Sequence, residues 1–194
     1  MYINGASPVI QNNLDYLTIA QLGNSIDFGD LTVARVGGVA TVASPTRGIW
    51  AGGDTPSDSD VIDYITTSTL GNAADFGNLS LARNHAGGAS NAVRGLFAGG
   101  YHNPGSSADN NLIDYITIAS LGNAIDFGDL ITASAGSRGS ASPTRAIFTL
   151  WDVGVATNSI EYVQIMSTGN AVDFGDQDPG LGIGANFSNG HGGL

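Results

Sequence analysis

The chain has 194 residues, of which 29 are Gly, none is Cys and 12% are charged, about half the usual charged share. Seventeen acidic residues against six Arg and no Lys give a net charge of -11. This charge repels the phosphates of nucleic acids and anionic membranes, so neither is expected as a partner, and the missing Cys excludes disulfides, thiolate metal sites and Cys nucleophiles.

The N-terminal sequence MYINGASPVIQNN has neither a basic segment nor an apolar core, so it does not resemble a secretory signal. No apolar run approaches the ~20 residues of a membrane helix. The length suits one domain. A chain rich in Gly, Ser and Thr, with few charges and many short apolar runs, predicts an all-β fold. The lack of a recognisable signal and of a membrane helix predicts synthesis in the cytosol.

Four units of one repeat run through residues 1–194, which we interpret as a single repeat domain. The units are marked by acidic–Tyr pairs that follow one another at offsets of 48, 51 and 47 residues, and each pair precedes an Asp-Phe-Gly tripeptide by 12 residues. The pairs are Asp15-Tyr16, Asp63-Tyr64, Asp114-Tyr115 and Glu161-Tyr162. A repeat of this length predicts an array of similar supersecondary units.

Each unit is predicted to contain about four short strands and no helix. In the third unit, residues 113–119 are rich in β-branched and aromatic residues, Leu121-Gly122-Asn123 predicts a turn, and residues 124–127 predict a return strand that ends at Gly128. In the first unit, a strand of small residues at 39–43 follows. A Ser-Pro-Thr-Arg turn then leads into a fourth strand at 48–51.

The Asp-Phe-Gly tripeptide also occurs in protein kinases, where its Asp holds magnesium, but this chain has no Lys and therefore no kinase phosphate-binding Lys. Four copies at the repeat spacing favour a structural role instead. We expect the Phe to anchor the core and the Asp to bond turn amides or an Arg of the repeat. The four residues are Phe28, Phe76, Phe127 and Phe174.

Three arginines, Arg47, Arg94 and Arg145, occupy equivalent repeat positions. We expect each to pair with a repeated carboxylate, because the planar guanidinium binds a carboxylate through two hydrogen bonds. The alternative is an anionic ligand near the axis of a ring.

No cofactor is expected, and calcium is the one alternative left open. Carboxylates three residues apart, as in Asp27/Asp30, Asp126/Asp129 and Asp173/Asp176, could contribute to a Ca²⁺ site, but no EF-hand spacing or nonapeptide calcium repeat is present. The three His lack metal-ligand spacing, and no hydrolase or nucleotide-binding motif occurs. We therefore expect no enzymatic activity.

The two ends of the chain complement each other. Tyr2 precedes Asp15 by 13 residues, as Trp50 precedes Asp63, so the N-terminal segment is the closing part of a unit that the C-terminus leaves incomplete. This arrangement predicts a ring whose last blade takes strands from both termini, which removes exposed sheet edges. Four blades is a small number, so an open array or an assembly of several chains remains an alternative.

Arg35, the apolar strand ending in Gly52-Gly53 and the following Asp63-Tyr64 resemble a kelch repeat, and the resemblance implies a small β-propeller of about four four-stranded blades. The third unit departs from it, since Ser134 replaces the Arg and Leu150-Trp151 the Gly pair. Some kelch propellers are copper oxidases, but those need a Cys–Tyr cross-link, which a chain without Cys cannot form.

The strings IDYITIASLGNAIDFGDL and ASPTRGIWAGG further resemble kelch-like repeats of tailed bacteriophages, particularly those of marine hosts. That resemblance implies a non-enzymatic structural or attachment component of the virion, in the tail, a fibre or the capsid surface. Its expected partners are other virion proteins or a glycan or protein of the host surface, and oligomers are possible. The alternative is a lectin-like adhesin module that binds carbohydrate.

Residues that break the repeat are the best candidates for specific binding, because a symmetric scaffold needs unique features for a specific contact. One break is the loop at residues 101–110, four residues longer than its counterparts, and the other is Leu150-Trp151. A tolerated insertion and local core filling are the structural alternatives. The candidate binding residues are Tyr101, His102, Asn103, Leu150, Trp151 and Asp152.

Overall fold

The computed structural model describes residues 2–3, 10–102, 108–151, 157–178, 186 and 188, and all regular structure in these ranges is β. The strands are β1 (Tyr2–Ile3), β2 (Gln11–Tyr16), β3 (Ile26–Arg35), β4 (Ala40–Ala43), β5 (Arg47–Ala51), β6 (Asp54–Thr55), β7 (Ser57–Asp58), β8 (Val61–Thr66), β9 (Ala74–Asn78), β10 (Gly87–Ser90), β11 (Arg94–Ala98), β12 (Tyr101–His102), β13 (Ala108–Thr117), β14 (Ile125–Ser134), β15 (Gly136–Ala141), β16 (Arg145–Trp151), β17 (Ser159–Gln164) and β18 (Val172–Asp176).

These strands form four antiparallel sheets, which confirms the all-β prediction. Sheet I contains β1-β2-β3, sheet II contains β4-β5-β8-β9, and sheet IV contains β15-β16-β17-β18. Sheet III contains β10-β11-β13-β14, with β12 added beside β13. The short hairpin β6-β7 stands apart. Each four-stranded sheet therefore joins the small-residue half of one sequence unit to the acidic–Tyr half of the next.

Buried side chains form three separate apolar clusters, each between two neighbouring sheets. Leu14 and Phe28 of sheet I pack with Trp50 and Ile65 of sheet II. Similar clusters join sheet II to sheet III, and sheet III to sheet IV. Among the described residues, no such cluster joins sheet IV to sheet I.

The Asp-Phe-Gly tripeptide lies inside a strand, which corrects the expectation that its Gly ends the strand. In sheet III the pairing of β13 with β14 skips Phe127 in a β-bulge, and β14 continues to Ser134. Gly128 has φ +141°, and its N–H donates to Asp126 Oδ1 at 3.0 Å. A Gly at positive φ and a local carboxylate acceptor accommodate the extra residue, so the strand bends without ending.

Three of the four repeat phenylalanines, Phe28, Phe76 and Phe127, are buried, and each contacts the Tyr of its own unit edge to face. Phe174 makes the same contact with Tyr162 but is half exposed. The expectation that Phe174 is a fourth core anchor is therefore wrong. The physical reason is that no described sheet packs against its outer side.

The strand that carries each buried Phe docks on the Gly-Asn turn of the following unit. Gly71 N–H donates to Phe28 O at 2.9 Å, and Asn72 Oδ1 accepts from Asp30 N–H at 3.1 Å. Both bonds recur at the next two interfaces, with Gly122 and Asn123 and with Gly169 and Asn170. Neighbouring sheets are thus joined by one repeated set of contacts.

Buried ion pairs reinforce the first two of these interfaces. Arg35 of sheet I and Asp63 of sheet II are 2.7 Å apart, and Arg83 and Asp114 are 3.0 Å apart between sheets II and III. All four side chains are almost completely buried.

The third interface replaces the ion pair with a different arrangement. Ser134 stands at the Arg position and donates to Trp151 O at 2.8 Å. Glu161 stands at the Asp position and accepts from the backbone N–H groups of Ile131 and Thr132. Asp63 and Asp114 accept from one backbone N–H at the equivalent position, so the longer carboxylate of Glu161 adds a second backbone bond where no Arg is available.

The repeat arginines contact tyrosines, so the prediction that they pair with carboxylates is wrong. The guanidinium carbons of Arg47, Arg94 and Arg145 lie 4.6, 4.5 and 5.1 Å from the ring centres of Tyr64, Tyr115 and Tyr162. Arg47 and Arg94 also donate to backbone carbonyls of the following sheet. The acidic residue beside each Tyr points away from this Arg, because successive side chains of a strand face opposite sides of a sheet.

Candidate functional site

The two breaks of the repeat meet at one end of the sheets, where Asn84-His85 connects them. Asn84 and Tyr101 form a β-bridge with backbone hydrogen bonds of 3.0 and 2.8 Å. The ring of His85 meets the ring of Trp151 edge to face, with 6.1 Å between their centres. The predicted candidates Tyr101 and Trp151 therefore flank a pair of residues that the sequence analysis did not single out.

The backbone at His85 takes an uncommon conformation, with φ +56°. The equivalent position of the first unit is Gly37, which has the same φ. A residue other than Gly in this region is strained, so the His is held there by its neighbours. Gly38 lies directly against the backbone of His85, and a side chain at Gly38 would collide with it.

The Asn84 side chain organises the polar groups of this site. Its Nδ2 donates to Asp54 Oδ1 and to Asp58 Oδ1, both at 2.8 Å. Its Oδ1 lies 2.5 Å from His85 Nδ1. Because Oδ1 can only accept, His85 carries its proton on Nδ1, and the Nε2 of the neutral ring is left as an acceptor.

His102 joins the same network from the strand β12. Its Nδ1 lies 2.6 Å from Ala82 O and 3.6 Å from Asp58 Oδ2. The hydrogen bond to a carbonyl requires a proton on Nδ1. Strand β12 is thereby tied to the hairpin β6-β7 on one side and to β13 on the other.

Burial shifts the titration of three groups at this site. It raises the pKa of Asp54, and the nearby Asp58 carboxylate adds to the shift, whereas the hydrogen bond from Asn84 opposes it. Burial lowers the pKa of His85, and the positive charge of Arg138 acts in the same direction. Burial also lowers the pKa of Arg138. The site therefore favours a neutral His85 beside a partly desolvated carboxylate.

The remaining predicted candidates have different surroundings. Leu150 is buried in the cluster between sheets III and IV, so it fills the core. Trp151 is partly buried against Gly136, and its Nε1 has no hydrogen-bond partner among the described residues. Asn103 and Asp152 lie outside the described residues. Of the candidates, Tyr101, His102 and Trp151 are brought together.

A cleft of about 820 Å³ runs between β4, β10 and β15, each the first edge strand of its sheet. Its described lining is uncharged and includes Thr41, Trp50, Ser90, Ser140 and Asn186. A smaller adjoining cavity of about 350 Å³ contains the side chain of Arg138. The Arg therefore places the single positive group of the described lining at one end of an otherwise neutral cleft.

The described residues contain no group of three or more His, Asp or Glu side chains placed to bind a metal ion. In the predicted carboxylate pair Asp27/Asp30, Asp27 is exposed and its Oδ1 accepts from Gly29 N–H, and Asp30 is half-buried. The network at Asn84 can recognise a ligand by hydrogen bonding, and its geometry shows no nucleophile held by a base.

Sequence reasoning missed Asn84, His85, Asp54 and Asp58. The three His were set aside because they lack metal spacing, although His85 stands where the first unit has Gly37. A bulky residue at the position of a repeat Gly is a signal that the sequence offered. The partners Asp54 and Asp58 could not be found, because only the packing of the hairpin β6-β7 brings them to Asn84.

Replacing His85 with Gln should change how stability depends on pH. The folded-state pKa of His85 is below the ordinary value of 6.5, so as the pH falls below 6.5 the unfolded chain takes up a proton that the folded chain does not. The unfolding free energy of the wild type should therefore decrease from about pH 7 towards about pH 5, within the usual range of His titration. In His85→Gln this part of the slope should vanish.

The measurement is chemical denaturation at a series of pH values for both proteins. Asp54 contributes with the opposite sign, because its pKa is raised, so its ionisation with rising pH lowers stability in both chains. The difference between the two proteins therefore reports His85 together with its influence on Asp54. Equal slopes would contradict the assignment of a neutral, buried His85.

In the ranges that the structure describes, no helix is long and apolar enough to cross a membrane. No protein-family model matches the chain, and the search of curated proteins gives no match either.

Proposed function

We propose that the protein is a non-enzymatic structural or attachment component of a phage virion, built as a kelch-like β-propeller of four blades. In this proposal it binds other virion proteins or a protein or glycan of the host surface. The lineage part rests on the resemblance of the repeat strings to phage kelch-like repeats. The binding part rests on the site at Asn84, and the fold part on the arrangement of the inner strands.

The inner strands support the propeller. Gly88 of β10 lies against the backbone of Thr41 in β4, and Gly139 of β15 lies against the carbonyl of Gly88 in the same way. These positions are equivalent in the repeat, so each inner strand is placed on its predecessor by the same contact. Innermost strands around a common axis are the defining arrangement of a propeller.

The C-terminal segment supports a blade that takes strands from both chain ends. Sheet I has no inner strand among its described members. Ser188 Oγ donates to Ala141 O at 2.7 Å, and Ser90 Oγ donates to Ala43 O at 2.9 Å at the equivalent position. Ser188 therefore contacts β15 as Ser90 of β10 contacts β4. This is the position expected for an inner strand of the next blade.

One observation carries the binding role: one residue from each break of the repeat, Tyr101 and Trp151, contacts the adjacent residues Asn84 and His85. Tyr101, His102 and Trp151 combine aromatic surface with polar groups, a composition that is common at protein interfaces. The site also keeps an acceptor at His85 Nε2. Rigid strands hold these groups, which favours recognition over local core filling.

A lectin-like role is the second candidate, favoured by the 820 Å³ cleft. Hydroxyl and amide groups of Thr41, Ser90, Ser140 and Asn186 line it. Neutral hydrogen-bonding groups suit a sugar. Glycan-array binding that is lost in Ser90→Ala but retained in Trp151→Ala would favour this role over the first one.

Replacing Trp151 with Ala should weaken partner binding by about thirtyfold, the effect of losing an interface residue worth about 2 kcal/mol. The measurement is the copy number of the variant chain in purified phage particles, and then its affinity for the virion protein that contacts it. Ile131→Ala is the control, because Ile131 is an exposed apolar residue on β14 of the neighbouring sheet III. Unchanged incorporation of Trp151→Ala would contradict the interface.

The virion role itself is tested by mass spectrometry of purified particles. The chain should be present in a fixed copy number and should remain after washing at high salt. Its absence from particles, with the chain found free in the host cell, would refute the virion role and leave the binding site to be tested separately.

A further inference from the structure

Sheets I and IV, the first and last described sheets, each carry one of the two surfaces that join neighbouring sheets within the chain. Three internal interfaces repeat this contact, and in each a Gly N–H of the following sheet donates to a Phe carbonyl of the preceding one, at 2.7–2.9 Å. Sheet I has no preceding sheet among the described residues, and sheet IV has no following one. Each therefore keeps one half of the contact unused.

The apolar half on sheet I is exposed. Ile65, Ile116 and Val163 follow the repeat Tyr and are each 3% exposed, because each packs with the Phe of the preceding sheet. The equivalent Leu17 is 53% exposed.

Ile19 is a second residue of sheet I that is more exposed than its apolar equivalents in other sheets. Ile19 is 99% exposed, whereas the equivalent Ile118 and Ile165 are 2% and 0% exposed. The remaining equivalent residue, Thr67, is polar and exposed. We call Leu17, Ile19 and the turn Gly23-Asn24 the leading face. Exposed apolar groups of this kind mark interaction surfaces, and end units of repeat proteins normally carry polar groups there.

The complementary half lies on sheet IV. Phe174 is 50% exposed, whereas Phe28, Phe76 and Phe127 are 3–5% exposed. Among the described residues, no Gly-Asn turn donates to its carbonyl. We call Phe174, Gly175, Asp176 and Arg145 the trailing face.

The arginines show how the two faces match. Arg47 Nη1 donates to Ile118 O at 2.6 Å, and Arg94 Nη1 donates to Ile165 O at 3.1 Å, each from one sheet to the next. Arg145 is the third member of this series and is exposed. Ile19, on the leading face, is equivalent to Ile118 and Ile165. Its carbonyl is therefore the acceptor that Arg145 would reach in a following sheet.

We propose that the protein associates head to tail, with the trailing face of one copy docked on the leading face of a second copy. The contact would bury Leu17 and Ile19 against Phe174, let Gly23 N–H donate to Phe174 O, and bring Arg145 to Ile19 O. A second copy is the occupant because every copy carries the complementary face, and the apolar residues of both faces are exposed in one chain.

Such a contact uses different surfaces on the two partners, so it is heterologous and extends until the chain of copies closes. This association takes the place of ring closure within a single chain, whose described sheets I and IV are not docked on each other. The blade with strands from both chain ends then combines β1–β3 of one copy with Ser188 of its neighbour. The proposal stands on these contacts whether or not the protein belongs to a virion.

The contact should be weaker than the internal ones. Leu31, Leu79 and Leu130 are buried two or three residues beyond the bulge of their strands, and Gln177 stands at the equivalent place in sheet IV. A polar side chain there reduces the apolar area buried on docking. We therefore expect reversible association that depends on protein concentration.

Analytical ultracentrifugation of the full chain tests the proposal. The wild type should sediment as multiples of its 19.7 kDa mass and dissociate on dilution. Ile19→Asp and Phe174→Asp should each be monomeric. An equimolar mixture of the two should form pairs, because each variant keeps the face that the other has lost.

Val93→Asp is the control, since Val93 is an exposed apolar residue on neither face, and it should associate like the wild type. A wild type that stays at 19.7 kDa at every concentration would overturn the proposal. So would a mixture of the two Asp variants that remains monomeric.

Cysteine cross-linking separates association between copies from closure of one chain on itself. The chain has no Cys, so Asn24→Cys and Asp176→Cys introduce the only thiols. The equivalent Asn72 Oδ1 and Asp30 N are 3.1 Å apart. Oxidation of a mixture of the two single variants should give linked pairs, and the double variant should give a ladder of linked chains. A double variant that links only within single chains would overturn the proposal.

Discussion

Replacing Phe127 with Ala should lower the free energy of unfolding by about 3–5 kcal/mol, the usual cost of deleting a buried Phe. Phe127 is buried between sheets III and IV, where it packs with Phe148, Val163 and Ile165. The loss combines the transfer free energy of the ring with the cavity it leaves, since the surrounding strands can collapse only in part. Chemical denaturation gives the value.

Phe174→Ala is a matched control for this prediction. Phe174 has the same neighbours in sequence and the same edge-to-face Tyr contact, 5.9 Å between ring centres in both cases, but it is half exposed. Its replacement should cost less than half as much at a dilute protein concentration, where copies do not associate. Equal losses for the two variants would show that burial between sheets is not what makes Phe127 important.

Replacing Arg83 with Ser should cost about 3–5 kcal/mol, because it leaves the carboxylate of Asp114 buried without its cation. The pair spans sheets II and III at 3.0 Å and is almost fully buried. Its net contribution relative to an apolar pair is small, since burial of both charges opposes their attraction. The large effect comes from removing one partner alone. Chemical denaturation measures it.

The third interface supplies the rescue for this variant. There the chain has Ser134 and Glu161, and the longer carboxylate accepts from two backbone N–H groups. The double variant Arg83→Ser with Asp114→Glu copies this arrangement into the second interface. It should be more stable than Arg83→Ser. A double variant no more stable than the single one would show that the Glu arrangement depends on features unique to sheet IV.

The repeat made much of this fold predictable. The strand and turn pattern of the third unit predicted the hairpin of β13 and β14, whose turn contains Leu121-Gly122-Asn123. Residues 39–43 and 48–51 predicted β4 and β5 almost to the residue. These elements depend on turn chemistry and on local alternation, which neighbouring residues determine.

The predictions that were wrong or missing concern side chains whose partners lie in another sheet. The partner of Arg47 is a Tyr and a carbonyl 71 residues away, and the partner of Asp63 is Arg35. Composition and spacing made a repeated carboxylate a reasonable partner for Arg47. Because side chains alternate across the sheet, Asp63 faces the side opposite to Tyr64 and Arg47. At the candidate site, Tyr101 and Trp151 were predicted, and His85, which connects them, was not.

The sequence by itself determined the number of units, the all-β character and the position of each hairpin, because these follow from local chemistry repeated four times. Only the tertiary structure decided which copies of an identical motif are buried. Phe127 and Phe174 occur in the same tripeptide, yet one lies in a core and the other on a surface. The physical reason is that burial depends on the neighbouring sheet, and the described part of the chain places a sheet beside the first and none beside the second.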